Sequence, residues 1–335
     1  MHPGDRALSG FTAAIFGCDG LRLSSEEKAF YRDANPFGFI LFARNIDTAD
    51  QVRALTDELR ACVGHDAPIL IDQEGGRVQR LRAPLATEWT PALDFVQAAG
   101  PNAARAMYLR SAITAHELIS LGIDSNCAPL VDVASAETHP FLRNRCYGED
   151  PTVVAALGRA VADGHLDAGV LPVVKHIPGH GRATVDSHHN LPHVSAPLSA
   201  LQSDFAPFRA LNDLSMGMTA HLAIEAIDTL PATISPPTMR YIREDIGFDG
   251  LIMTDDIGMQ ALSGTVVDRS IAAIAAGCDV ILHCNGPLSE RIDVAQAVAK
   301  MPARADERAQ RVLDTRPRPG ALDIPALTAE LETLI

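Results

Sequence analysis

Side chains that could do chemistry cluster at a few places in this 335-residue chain, each directly after a short apolar run. The runs end in Asp72-Gln73-Glu74-Gly75-Gly76-Arg77 with Arg80 just beyond, in Asn126 leading to Asp132, and in Lys175-His176. Others end in His221, in Asp255-Asp256 and in His283. Water at a strand end explains single polar positions, but poorly explains a Lys, a His and an Asp that each follow a purely apolar strand. The spacing of His176, His180, His188, His189, His193 and His221 fits neither HExxH nor a common structural zinc pattern. Pro178 and Gly179 also disfavour the helix that would put His176 and His180 on one face. Neither a metal nor another cofactor is expected. Acyl transfer would want an exposed nucleophile, and there is no GxSxG.

Hydrolysis of a glycosidic bond needs a nucleophile or base on one face of a sugar and a proton donor on the other. Asp255 closes the run Gly-Leu-Ile-Met-Thr-Asp, so its backbone should be rigid, which suits a group that attacks a carbon. Asp256 beside it could turn outward or cap the following segment. His188 is a candidate donor: an imidazole titrates near neutrality, and Asp186, two residues earlier, could orient it and raise its basicity. Spacing alone fits a solvated loop histidine beside His189 equally well.

The elements that must position these groups alternate. Eight apolar runs, Thr12–Gly17, Gly38–Phe42, Pro68–Asp72, Gly122–Ala128, Leu171–His176, Met216–His221, Gly250–Asp255 and Asp279–His283, read as buried parallel strands. Helix signals separate them: a capping box at Ser24–Glu27, Asp47 as cap of a helix burying Val52, Leu55 and Leu59, and a long helix from Pro101 to Leu121 stopped by Gly122. Another helix starts at Ser235-Pro236 and ends at Gly247, and Val266–Ala276 is followed by Gly277. The pattern predicts one α/β domain over 1–335, a (β/α)8 TIM-type barrel, with an open eight-stranded sheet as the alternative. Val131–Pro151 and Ile177–Leu201 are long loops after strands 4 and 5, on the face where such barrels bind substrates. The tail from about 303 reads as helices covering the barrel.

Composition narrows the partners. A formal charge of −14 with no basic run argues against nucleic acid and anionic membranes, and leaves neutral small molecules open. Cys18, Cys62, Cys127, Cys146, Cys278 and Cys284 show no CxxC pair and read as buried free thiols in a reducing compartment. The start, MHPGDRALSG, lacks a signal-peptide pattern, and no apolar run approaches membrane-spanning length. A cytoplasmic monomer is expected.

The segments GFILFARN (Gly38–Asn45), IDQEGGRVQR (Ile71–Arg80), NCAPLVDV (Asn126–Val133) and RCYGEDP (Arg145–Pro151) occur in this order. KHIPGHGRATVDSH (Lys175–His188), MTAHLAIEAID (Met218–Asp228) and MTDDIGM (Met253–Met259) follow them. The chain thereby resembles glycoside hydrolase family 3, and within it the bacterial cytoplasmic β-N-acetylglucosaminidases of peptidoglycan recycling. The resemblance implies that Asp255 is the nucleophile, that Lys175 and His176 grip sugar hydroxyls, that Asp72 binds hydroxyls at the far edge of that sugar, and that Arg80 and Arg145 lie near it. It also implies that His188 is the acid/base with Asp186 as its partner. The β-glucosidases of the family lack the Asp-Ser-His triplet and usually draw their acid/base from a second domain. The triplet therefore implies a small glycan substrate, a muropeptide ending in N-acetylglucosamine (GlcNAc). A β-glucosidase, a β-xylosidase and a β-GlcNAc phosphorylase are the alternatives. Ile177 departs from the aromatic residue usual after Lys-His, and His189 is a nominal competitor for the donor role.

Overall fold

The computed structural model describes residues 8–187 and 190–335. Eight parallel strands close into a barrel: β1 (Thr12–Gly17), β2 (Pro36–Leu41), β3 (Ile69–Ile71), β4 (Ser125–Asn126), β5 (Leu171–Ile177), β6 (Met216–Thr219), β7 (Leu251–Asp256) and β8 (Val280–His283). Each strand pairs with its sequence neighbours and β8 pairs with β1, through Ala14↔Ile281, Ile15↔Leu282 and Phe16↔His283. Closure excludes the open sheet, because no barrel strand is left with an unpaired edge. Helices on the outside cover the second face of each strand, so the strands are buried on both sides, as in Thr12–Gly17 and Leu171–Ile177, which are buried throughout.

Several boundaries differ from the sequence reading for local reasons. β4 is regular only at Ser125–Asn126. Beyond it the Ala128 N–H turns back to Asn126 O at 2.8 Å, and Pro129 has no N–H to give the ladder. The helix Ala49–Val63 is capped by Thr48, not Asp47. Thr48 Oγ1 accepts the Gln51 N–H at 3.2 Å while Gln51 Oε1 accepts the Asp47 N–H at 2.9 Å, so the reciprocal pair selects the later residue. Pro101 belongs to a single 3-10 turn, Gly100–Asn102, and the α-helix runs Ala103–Ile119. The capping box at Ser24 and Glu27 is formed as read. Cys62 is half-buried, whereas the other five thiols are buried.

After β8, the helix Ala303–Asp314 lies near β7, and its Arg308 bonds Asp249 at 2.8 Å and Asp279 at 3.0 Å. The helix Ile324–Glu332 lies against Ala103–Ile119, joined by a two-bond Arg105–Glu330 pair at 2.7 Å each. Among the described residues no helix is long and apolar enough to cross a membrane.

Candidate active site

At the C-terminal ends of the strands lies a cavity of about 540 Å³. Asp72, Arg80, Arg145, Lys175, His176, Asp186 and Asp255 all line it, drawn from the ends of β3, β5 and β7 and from the loops after β3, β4 and β5. His188 and His189 lie outside the described residues.

One wall is a network of buried charges. Lys175 Nζ lies 3.2 Å from Asp72 Oδ1 and 2.6 Å from Glu74 Oε1. Arg145 holds Glu74 in a fork, Nε to Oε2 at 2.9 Å and Nη2 to Oε1 at 2.7 Å. Arg80 Nη2 donates to Asp72 Oδ2 at 3.0 Å. Three cations thus share two carboxylates. Burial pushes the Glu74 carboxyl up, but Arg145 and Lys175 outweigh it and hold the group well below its ordinary range. Burial likewise opposes the ammonium of Lys175, yet Glu74 and Asp72 hold it charged. Such an array is rigid and polar, with donors and acceptors in fixed directions, which is what recognition of sugar hydroxyls requires.

The second wall is built around Asp255. Its Oδ1 accepts the Asp256 N–H at 2.7 Å, and its Oδ2 lies 4.0 Å from His176 Nε2. Burial alone would raise its carboxyl, but His176, His221, the Asp256 N–H and Lys175 bring it down to about 2. Asp255 is therefore an anion at neutral pH, one-fifth exposed and facing the cavity. Asp256 is committed elsewhere. Its Oδ1 accepts the N–H groups of Gly258 at 3.1 Å and Cys284 at 3.2 Å, so it stitches the end of β7 to the end of β8.

Behind His176 stands Asp132, whose side chain is fully buried. Asp132 Oδ2 accepts from His176 Nδ1 at 2.8 Å, and Oδ1 accepts the His180 N–H at 2.7 Å. With the Nδ1 proton directed at Asp132, the Nε2 edge of His176 is the one presented toward Asp255 and the cavity. His221 is locked in the same way, between Thr233 Oγ1 at 2.7 Å and the Asp256 carbonyl at 3.0 Å.

The loop after β5 brings Asp186 and Ser187 to the rim. His176 and His180 are joined by an irregular turn, not a helix. Gly181 has a packing reason to be glycine: a Cβ there would fall 1.8 Å from the Val133 carbonyl oxygen. Gly179 sits at φ 137°, where side chains are disfavoured.

Glu74, Asp132 and His221 were visible in the sequence as polar residues at strand ends, but nothing local assigned them a task. Glu74 is next to Gln73, which is buried and accepts from the backbone of Arg80 and Leu81, so the division between a structural residue and one that supports the cavity charges is seen only once the short hairpin is known.

Residues 13–315 match the Glycosyl hydrolase family 3 N terminal domain. A beta-hexosaminidase of Alkalilimnicola ehrlichii is 39% identical over 281 residues, covering 82% of this chain and 80% of the relative. One from Methylococcus capsulatus is 38% identical over 279 residues, covering 82% and 83%. Among solved structures, NagZ from Neisseria gonorrhoeae in complex with N-trifluoroacetyl-D-glucosamine superposes with a TM-score of 0.79 at 28% identity, covering 97% of this chain and 98% of that one. A family 3 β-N-acetylglucosaminidase from a Paenibacillus strain gives 0.82 at 29% identity over 96% of this chain, which spans 61% of that larger chain. With the barrel, the charged cavity at its C-terminal face and these likenesses together, the chain belongs to glycosyl hydrolase family 3, among its beta-hexosaminidases.

Proposed function

We propose that this hexosaminidase removes terminal, non-reducing β-linked GlcNAc with net retention, through a covalent glycosyl-enzyme on Asp255. The observation that carries the reading is Asp255 itself, an ionised carboxylate at a rigid strand end, open to a cavity whose opposite wall is a fixed set of hydroxyl-binding charges. In this reading Asp72, Arg80, Arg145, Lys175 and His176 hold the sugar. Asp255 Oδ2 attacks the anomeric carbon as the glycosidic bond breaks, and the leaving oxygen takes a proton from His188, oriented by Asp186. Water, giving its proton to His188, then displaces Asp255 and releases the sugar; the two inversions leave the configuration unchanged. Asp132 fixes His176, which stays beside the attacking oxygen throughout.

The aglycone in this reading is a muramyl or anhydromuramyl peptide fragment, so the enzyme works in cell wall recycling, as a cytoplasmic monomer. The support is the Asp186-Ser187-His188 triplet and the resemblance it carries.

The test compares Asp255→Ala with Asp256→Ala on an aryl β-GlcNAc glycoside. Asp255→Ala should be inactive. An active Asp255→Ala beside a dead Asp256→Ala refutes the assignment. The product anomer, read by NMR in the first turnovers, should be β, and adding phosphate should yield no sugar-1-phosphate. An aryl glucoside or xyloside turned over faster than the GlcNAc glycoside would move the chain to the other branch of the family.

A further inference from the structure

Ser187 stands between the two residues assigned to proton transfer, and its hydroxyl lies 3.2 Å from His180 Nε2. His180 is 5% exposed and has no role in the mechanism above. Its backbone N–H donates to Asp132 Oδ1 at 2.7 Å, and its ring meets that of His176 edge-on, centroids 5.7 Å apart and planes at 68°. The other ring nitrogen, Nδ1, is buried and has no hydrogen-bond partner among the described residues. That asymmetry assigns the proton. A buried N–H lacking an acceptor forfeits more than a bare ring nitrogen lacking a donor, so the hydrogen belongs on Nε2, donated to Ser187 Oγ. Burial pushes the imidazole down to about 4, so the ring is neutral and this one-proton pattern holds at neutral pH. Ser187 is left with its own O–H to donate. A buried chain therefore runs from Asp132 through His180 to Ser187, and its first member is the carboxylate that orients His176.

We propose that His180 is a positioning residue for the proton-transfer step: through Ser187 it ties the Asp186-Ser187 end of the long loop to the floor of the sugar cavity, so that the group read as acid/base is delivered by the same carboxylate that sets His176. The inference rests on the reading of His188 as the donor. Its consequence is selective. Losing the tie should harm the step that protonates the leaving group and spare sugar binding, because the sugar-binding charges lie on other elements.

The experiment measures kcat and KM on two β-GlcNAc glycosides, one with a nitrophenyl group that leaves with little protonation and one with an alkyl group that needs it. His180→Leu removes the donor, and His180→Gln restores an N–H at similar reach. A displaced acid should cost His180→Leu about 10–100-fold in kcat on the alkyl glycoside and less than about 3-fold on the aryl one, with KM nearly unchanged. His180→Gln should recover most of the alkyl rate. Ser187→Ala should reproduce the pattern, and the Ser187→Ala, His180→Leu pair should be no slower than the slower single variant. Equal losses on both glycosides, a change in KM alone, or a Gln variant no better than Leu overturns the proposal. If His180→Leu does not fold, Ser187→Ala decides on the same criterion. His188→Ala is run alongside. If it fails to discriminate the glycosides, the donor reading falls and takes this inference with it; if it discriminates and the His180 and Ser187 variants do not, the inference alone falls.

Discussion

Replacing Glu74 by Gln tests whether the buried charges of the cavity wall depend on one carboxylate. The change keeps size and shape and removes one charge. Arg145 now faces an amide: of its two contacts, at 2.7 and 2.9 Å, one becomes donor against donor. Lys175, whose side chain is 2% exposed, faces at best a neutral amide oxygen in place of the carboxylate 2.6 Å away and keeps only Asp72, at 3.2 Å, as a counter-charge. Removing one member of a buried, hydrogen-bonded ion group costs about 3–5 kcal/mol, because the remaining charges stay out of water. Unfolding entropy of about 2.1 cal/mol/K per residue, over 335 residues, gives about 0.7 kcal/mol/K, so Tm should fall by about 4–7 °C. The pH dependence has a definite sign. The folded Glu74 carboxyl lies below its ordinary value of 4.5, so below that value the unfolded chain binds the extra proton first. Its contribution is complete above 4.5 and is lost as pH falls through the folded value, so the gap between wild type and variant should narrow in acid. Differential scanning calorimetry at neutral pH and at about pH 4 measures both effects. A Tm change under about 1 °C at neutral pH, or a gap that widens in acid, refutes the view that Glu74 compensates Lys175 and Arg145.

Other outcomes follow from the same geometry. Asp132→Asn offers His176 Nδ1 an amide in place of a carboxylate, so the Nδ1 proton loses its anchor; kcat/KM should fall on the order of 10–100-fold, and an unchanged value would remove Asp132 from the account. Gly181→Ala forces a methyl against the Val133 carbonyl at 1.8 Å, so this loop or the loop after β4 that carries Val133 must shift; about 1–3 kcal/mol of stability should be lost, and a variant with wild-type Tm and turnover would show that the loop root yields freely. Asp255, with its carboxyl held down to about 2, should stay ionised, so glycosylation by an activated fluoride donor should show no acid limb near the ordinary carboxylate value of 3.8; a limb there that disappears in Asp255→Asn rescued with azide would contradict the electrostatic picture.

The sequence carried these groups unequally, and the reason is range. A strand buried on both faces must be apolar throughout, so eight such runs are countable and a charged residue at the end of one is conspicuous; Lys175-His176 after Leu-Pro-Val-Val and Asp255 after Leu-Ile-Met-Thr were legible for that reason. Helix starts were legible to within two residues; Asp47 and Thr48, for example, are both competent caps and only the Gln51 side chain chooses between them. The groups that hold the site in place leave no such mark. Glu74 meets Arg145 across 71 residues and Asp132 meets His176 across 44, and both encounters exist only because β3, β4 and β5 pair side by side. Neither has a characteristic spacing, and neither closes one of the eight apolar runs. The loop after β5 divides along the same line. Its root is fixed by contacts the sequence does not display, Gly181 against Val133 and His180 under Asp132, whereas its Asp186-Ser187-His188 end shows itself as a triplet of reactive side chains. Residues that open on the cavity announce themselves by being chemically out of place. Residues that position them must be found by asking what each buried polar atom is bonded to, and that question turns His180 from an unused histidine into a residue bonded to both Asp132 and Ser187 of the loop.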